Sequence, residues 1–171
     1  YNFKFMKRVL SGEQNIQIKA PDSLNTRILK SGKATGPLWG GNITLLVNRL
    51  GTNHPLNTKG SILFLEDIDE YLYSYERMLI QMKAAGMFEK INGLIIGELE
   101  DMKDQEIEFG RNTDQIILDI CGDLDIPIIS NFPCGHGKYQ ATLPLSLNAE
   151  IDTSNKEAMV TILDSAVDLK A

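Results

Sequence analysis

The run Ile62-Leu63-Phe64-Leu65, entered through Gly60-Ser61, is continuously apolar. Such a run marks a strand buried on both faces. Downstream, Leu72, Tyr75, Leu79 and Met82 recur at spacings of 3, 4 and 3, which places them on one stripe of a helix. The pattern predicts a helix over about 70–85, stopped by Gly86. A second buried strand follows at Ile91–Gly97. Strand, amphipathic crossover and strand together make a right-handed βαβ unit. Glu66–Asp69 is read as the short acidic loop between its first two members. Asn112 or Thr113 then caps a helix carrying Ile116, Ile117, Ile120 and Leu124. Ile126–Ser130 forms a third strand, with Pro127 near its start, where a missing N–H costs least.

The flanks are less regular. Residues 1–35 are polar and weakly patterned, apart from a strand at Ile16, Ile18 and Ala20 before Pro21. Gly36-Pro37 and Gly40-Gly41-Asn42 punctuate the next stretch. Ile43–Leu50 reads as a helix capped by Asn42 and closed by Gly51. The remainder is β in pattern, at Ala141–Leu143, Leu145–Ile151 and Ala158–Leu163. No internal repeat or low-complexity segment interrupts the chain. The expectation is an α/β domain with a mixed sheet and flanking helices.

Length and composition fit this without narrowing it. A chain of 171 residues, 43% hydrophobic and 23% charged, suits one domain with a substantial core. No apolar stretch approaches the roughly 20 residues needed to span a bilayer. The start, Tyr1-Asn2-Phe3-Lys4, has neither a signal-peptide pattern nor an initiator methionine, so it is read as truncated. A cytoplasmic home is the default. The net charge of −6 argues against nucleic acid as a partner, because neutralising phosphates takes a basic surface. Much of the negative charge is local. Glu98, Glu100, Asp101, Asp104, Glu106 and Glu108 face only Lys103. That segment is read as a solvated acidic loop, since its spacing is not that of an EF-hand. Cys121 and Cys134 do not make a disulfide framework, and Cys121 falls on the core side of a helix.

Two residues stand out chemically. Glu66 ends the first buried strand, and His136 lies in the tight loop Phe132-Pro133-Cys134-Gly135-His136-Gly137 after the third. Open α/β sheets collect ligands at the C-terminal ends of their strands. The bland alternative for Glu66 is an acid near a helix N-terminus, a role Asp67 and Asp69 fill equally well. For His136 it is a loop histidine satisfying local backbone groups. The flanking glycines favour the functional reading, since they let the backbone pass close to another surface and aim the ring outward. His54, between Asn53 and Pro55, reads as a turn residue. Cys134 and His136 lack the further ligands a metal site requires. Cys134 is too near His136 in sequence to meet it in attack geometry. Gly36–Gly41 matches no phosphate-loop pattern. A carboxylate that orients a histidine is two parts of a nucleophilic hydrolase. The third is missing: no serine stands in a G-x-S-x-G elbow, and Ser130 reads as structural. The chain carries a base and its orienter without a nucleophile.

The order of segments resembles a known family. Gly36-Pro37-Leu38-Trp39-Gly40-Gly41-Asn42-Ile43-Thr44-Leu45-Leu46 is similar to the G-x-L-x-G-G-N-L-S-L-L segment of the LD-carboxypeptidases, serine peptidases that act on murein tetrapeptide. Ile62–Asp67, then Tyr75-Glu76-Arg77-Met78-Leu79, resembles their I-L-x-L-E-D and R-M-L stretches. Ile91–Gly97 and the Pro133–His136 loop match as well. The resemblance implies the swivelling β/α-type C-terminal domain of that family over residues 21–171, with residues 1–20 a linker or edge segment from a missing N-terminal domain. It implies that Glu66 and His136 are catalytic and that the absent domain supplies the serine. Residues 40–42 would shape the wall of the substrate site. Further implications are removal of a terminal D-alanine during peptidoglycan recycling in the cytoplasm, no metal or cofactor, no membrane partner, and a homodimer.

Two alternatives stay open at this point. One is an immunity peptidase of the microcin type in the same superfamily, which needs a nucleotide pocket. Trp39 is the only tryptophan and is available as an aromatic platform, though core packing is the simpler role. The other is a non-catalytic peptide-binding or assembly module.

Overall fold

A computed structural model describes residues 1–167. Among these residues eight strands form one mixed sheet in the order β1-β8-β7-β3-β4-β5-β6-β2. They are β1 (Ile16–Lys19), β2 (Arg27–Lys30), β3 (Lys33–Asn42), β4 (Ile62–Ile68), β5 (Gly93–Glu100), β6 (Ile128–Gly135), β7 (Asn148–Asp152) and β8 (Met159–Ile162). Among the described residues the four helices are α1 (Asn2–Leu10), α2 (Ile43–Asn48), α3 (Leu72–Ala84) and α4 (Thr113–Cys121). The centre, β3-β4-β5-β6, is parallel, which is why its strands read as unbroken apolar runs. The outer pairs β1·β8, β7·β8, β3·β7 and β2·β6 are antiparallel.

β3 joins the two regions. Its first half, Lys33–Pro37, pairs with β7, and its second, Leu38–Asn42, runs beside β4. The pleat divides the core in two. On one face Leu63, Leu65, Leu94, Ile96 and Ile128 pack under α2, α3 and α4, against Tyr75, Leu79, Met82, Ile116, Ile117 and Ile120. On the other Ile62, Phe64, Ile95 and Ile129 meet Phe5 and Val9 of α1 and the apolar residues of β1, β7 and β8. The α3 stripe is as expected, with Tyr75, Leu79 and Met82 fully buried. Asn42 caps α2 by accepting from the Leu45 N–H, and Asn112 forms a reciprocal capping box with Gln115.

Several expectations need correction. Of the expected loop Glu66–Asp69, residues 66–68 are strand, because β4 runs on through Ile68, paired to β5. Phe132–Gly135 likewise belongs to β6. Ala141–Leu143 forms no strand. Residues 1–35 hold α1, β1, β2 and the start of β3. The helices and strands there are short, and their apolar positions are few. Residues 1–20 thus supply a helix and the edge strand of the sheet, and Phe5, Val9, Ile16 and Ile18 are buried in the core. Trp39 is half-buried and lies in neither core cluster. The acidic segment splits: Glu98 is buried on β5, while Asp101, Asp104, Glu106 and Glu108 are exposed. The last four residues of the expected 21–171 domain lie outside the described residues. Among the described residues, no helix is long and apolar enough to cross a membrane, and no group of acids, histidines and cysteines is placed to hold a metal ion.

Candidate active site

Side chains alternate along β4, so Glu66 and Asp67 point to opposite faces. Asp67 follows Leu63 and Leu65 to the helix face. It is buried and accepts from Asn42 Nδ2 (2.9 Å), the Thr44 N–H (3.0 Å), Thr44 Oγ1 (3.1 Å) and its neighbour's Ile68 N–H (2.9 Å). It thereby ties the end of β4 to the start of α2. Glu66 follows Ile62 and Phe64 to the other face, where β6 delivers His136.

The two meet directly. His136 Nδ1 lies 2.6 Å from Glu66 Oε2, with the carboxylate side chain 9% exposed and the ring 44% exposed. An ionised carboxylate only accepts, so the shared proton belongs on Nδ1. That leaves Nε2 with a lone pair on the solvent side of the pair. A short bond to a buried carboxylate holds the ring in one tautomer and one orientation and stabilises a positive charge on it. The chemistry open to this arrangement is proton abstraction at Nε2 and later return of that proton.

Irregular strand ends make the meeting possible. The β4–β5 register shifts between Leu65 and Asp67, and the β5–β6 register shifts twice, on either side of Gly97. Asn131, at φ 52, sits within the first of the β6 shifts. Such bulges add twist and re-aim side chains. Gly97 and Gly135 are the tight points. A Cβ on Gly97 would press on the Cys134 carbonyl oxygen and on Glu66 Cβ. Gly135, at φ 125, approaches the Glu98 carbonyl, where an added Cβ would lie 2.7 Å from the oxygen. The glycine beside the histidine is thus required for close approach, as its flanking position implied.

Residues 40–42 border the pair, with Gly40, Gly41 and Asn42 opposite Phe64, Leu65 and Glu66 in the ladder. Gly40 has no room for a side chain against the Phe64 backbone, whereas Gly41 faces open space, both at φ 141. The Asn42 amide is spent at both ends, on the α2 cap and on Asp67. Of this segment, Gly41 alone presents unobstructed backbone.

The remaining candidates fall away. His54 is exposed in its turn, and its carbonyl accepts from Arg49. Cys134 is buried, and burial, followed by the nearby charges of Glu98 and Glu66, pushes its thiol well above the ordinary range. It is held as an inert thiol. Ser130 is buried in β6 with its hydroxyl unpartnered, beside a cavity of about 50 Å³ lined in part by Arg27, Thr113 and Asp114. It is closed to a substrate.

One residue near the pair escaped the sequence reading. Glu98, which composition groups with the acidic loop, is 4% exposed, directly beneath the histidine loop. The available signal was its place in the apolar register, between Gly97 and Leu99.

Residues 35–151 match the model of the LD-carboxypeptidase C-terminal domain. The probable murein peptide carboxypeptidase of Bacillus subtilis is 33% identical over 77% of this chain and 41% of its own length. The microcin C7 self-immunity protein of Escherichia coli is 30% identical over 80% of this chain and 40% of its own. The crystal structure of muramoyltetrapeptide carboxypeptidase from Oxalobacter formigenes superposes with a TM-score of 0.81 at 27% identity, covering 95% of this chain and 54% of that one. The chain therefore spans about two-fifths of the length of these curated relatives and about half of the solved one.

Proposed function

This chain belongs to the LD-carboxypeptidase C-terminal domain family, and from that membership and the geometry above we propose that it supplies the base and the orienting acid of a serine-type carboxypeptidase. The observation that carries the reading is the 2.6 Å bond between His136 Nδ1 and Glu66 Oε2, with the opposite ring nitrogen free. In the proposed reaction a serine from the remaining, N-terminal part of the intact protein approaches Nε2. His136 takes its proton as the hydroxyl attacks the carbonyl of a terminal L,D peptide bond, then protonates the leaving D-alanine amine. Glu66 stabilises the imidazolium between the two transfers. Gly40 and Gly41 line the approach beside Glu66, with the open Gly41 backbone available to the peptide. The reading extends to murein tetrapeptide as substrate, peptidoglycan recycling in the cytoplasm as setting, and a homodimer as the working form.

The test is turnover of murein tetrapeptide by the intact protein. His136→Ala is expected to abolish D-alanine release, because both proton transfers pass through that ring. Turnover within tenfold of wild type, with folding intact by circular dichroism, would refute the assignment. The 171-residue chain by itself is expected to be inactive. The 30% identity to the microcin C7 self-immunity protein, of which a solved mutant is in complex with adenosine monophosphate, supports a second substrate class, a peptide–nucleotide conjugate. Parallel assays on both substrates decide between them.

A further inference from the structure

The histidine loop rests on two carboxyls from the sheet side. Glu66 lies under His136, and Glu98 lies under the next residue. All three atoms of the Glu98 carboxyl crowd Gly137, so that a Cβ there would overlap them. Regular alternation along β5 would send Glu98 to the helix face with Ile96. The register shift between Gly97 and Glu98 turns it to the face of Glu66 instead, as bulges do. There it is 4% exposed, and its Oε1 has no hydrogen-bond partner.

A buried carboxyl with an unpartnered oxygen is costly, and the proposed proton transfers do not use it. Its surroundings explain what it does. The charge of Glu98 is felt at Tyr1 and Cys134, and that of Glu100 is felt at Glu98. Burial foremost, then the charge of Glu100, raises the Glu98 pKa, with the Tyr139 amide pulling the other way. From the opposite side the same loop is tied by Gln140 Nε2 donating to the Gly137 carbonyl (2.7 Å). Asn2 reaches across from α1 to accept from the Gln140 N–H (2.7 Å) and donate to the Lys138 carbonyl (3.2 Å).

We propose that Glu98 is a positioning residue: its carboxyl, wedged between β5 and Gly137, sets the height of the histidine loop so that His136 Nδ1 meets Glu66. This rests on His136 being the base, but it is a statement about the ring's placement and can be tested without turnover. The chain has two histidines, so imidazole ¹⁵N spectra assign cleanly, with His136→Ala removing one set. The wild-type 171-residue chain should show His136 as the Nδ1-protonated tautomer with a low-field Nδ1 proton. Glu98→Gln keeps the shape and one acceptor oxygen and should keep that signature. Glu98→Met replaces the planar carboxyl under Gly137 by a flexible thioether, and it should lose the low-field proton and give mixed tautomers while the amide peaks of β7 and β8 stay in place. A Glu98→Met chain that retains the low-field proton would overturn the proposal, and so would a Glu98→Gln chain that loses it. If the intact protein proved inactive on murein tetrapeptide, the reaction would be misread while these spectra still decided the role of Glu98.

Discussion

Replacing Asp67 should damage the fold, whereas replacing its neighbour Glu66 should damage the chemistry. Asp67 is 2% exposed and accepts four hydrogen bonds, three of them from the start of α2. Asp67→Ala leaves the Asn42 amide and the Thr44 N–H without their acceptor, while the Thr44 hydroxyl keeps Glu70 Oε1 at 3.3 Å. Each buried orphan costs about 1–3 kcal/mol. These donors are part-buried, so relaxation toward water reduces the sum, and a loss of ~3 kcal/mol is expected. Asp67→Asn is nearly isosteric, but its NH₂ would face the Thr44 N–H, donor against donor, so ~2 kcal/mol should be lost. Glu66 has one side-chain partner, on the open side of the pair. Glu66→Gln should therefore cost less than about 1 kcal/mol of stability, yet lower kcat of the intact protein on the order of 10³ to 10⁴-fold. Urea unfolding followed by circular dichroism measures the first quantity, and D-alanine release measures the second. Should Asp67→Asn unfold at the wild-type urea midpoint, or Glu66→Gln keep wild-type kcat, the division of labour between the two acids is wrong.

Three other outcomes follow from the same geometry. Gly135→Ala adds a Cβ against the Glu98 carbonyl at φ 125, so it should cost ~2–3 kcal/mol and weaken the His136–Glu66 bond, both visible in urea titration and imidazole spectra. Glu98 has a pKa raised above its ordinary 4.5, so above that pH the unfolded chain gives up its proton first and the folded state loses ground until its own pKa is passed. Stability of the wild type should thus fall relative to Glu98→Gln as pH rises through 4.5, read as diverging urea midpoints; parallel curves would contradict it. Cys121 and Cys134 are both buried, with the Cys121 thiol pushed up to about 12 by burial foremost, so neither should react with a thiol reagent until the chain is unfolded.

The parallel centre of the sheet was legible because its strands are buried on both faces and its helices carry one apolar stripe each. The runs at Ile62–Leu65 and Ile128–Ser130, the α3 stripe and the Asn42 and Asn112 caps all lie where local pattern places them. Strand ends were not legible. Glu66 and Asp67 are charged, so the pattern stops at Leu65, while the ladder continues to Ile68 because tertiary partners satisfy both acids. The outer strands were harder still. β2 is four residues long and part-buried throughout, and nothing local separates such a segment from a loop. The burial of Glu98 is hidden for a physical reason as well: it depends on a register shift between strands, and register is a non-local property.

The candidate pair is built from strand ends, and this placement carries a consequence for precision. Glu66 and Asp67 are covalent neighbours with opposite duties, separated only by the pleat. The helix-side acid anchors α2, and that anchor holds the end of β4 against β3 through the Asn42–Asp67 bond. The geometry of Glu66 therefore depends on a residue that faces away from it. His136 is placed in the same manner, by Gly135 passing close over β5 and by the loop ties behind it. A bond of 2.6 Å between groups 70 residues apart in sequence requires both strand ends to be held to within a fraction of an ångström. Misplacement by about 1 Å costs on the order of 10² in rate for comparable sites. The bulges, the close-approach glycines and the buried acids around the pair are costly features for a sheet that only had to fold, and they are concentrated where positioning demands them.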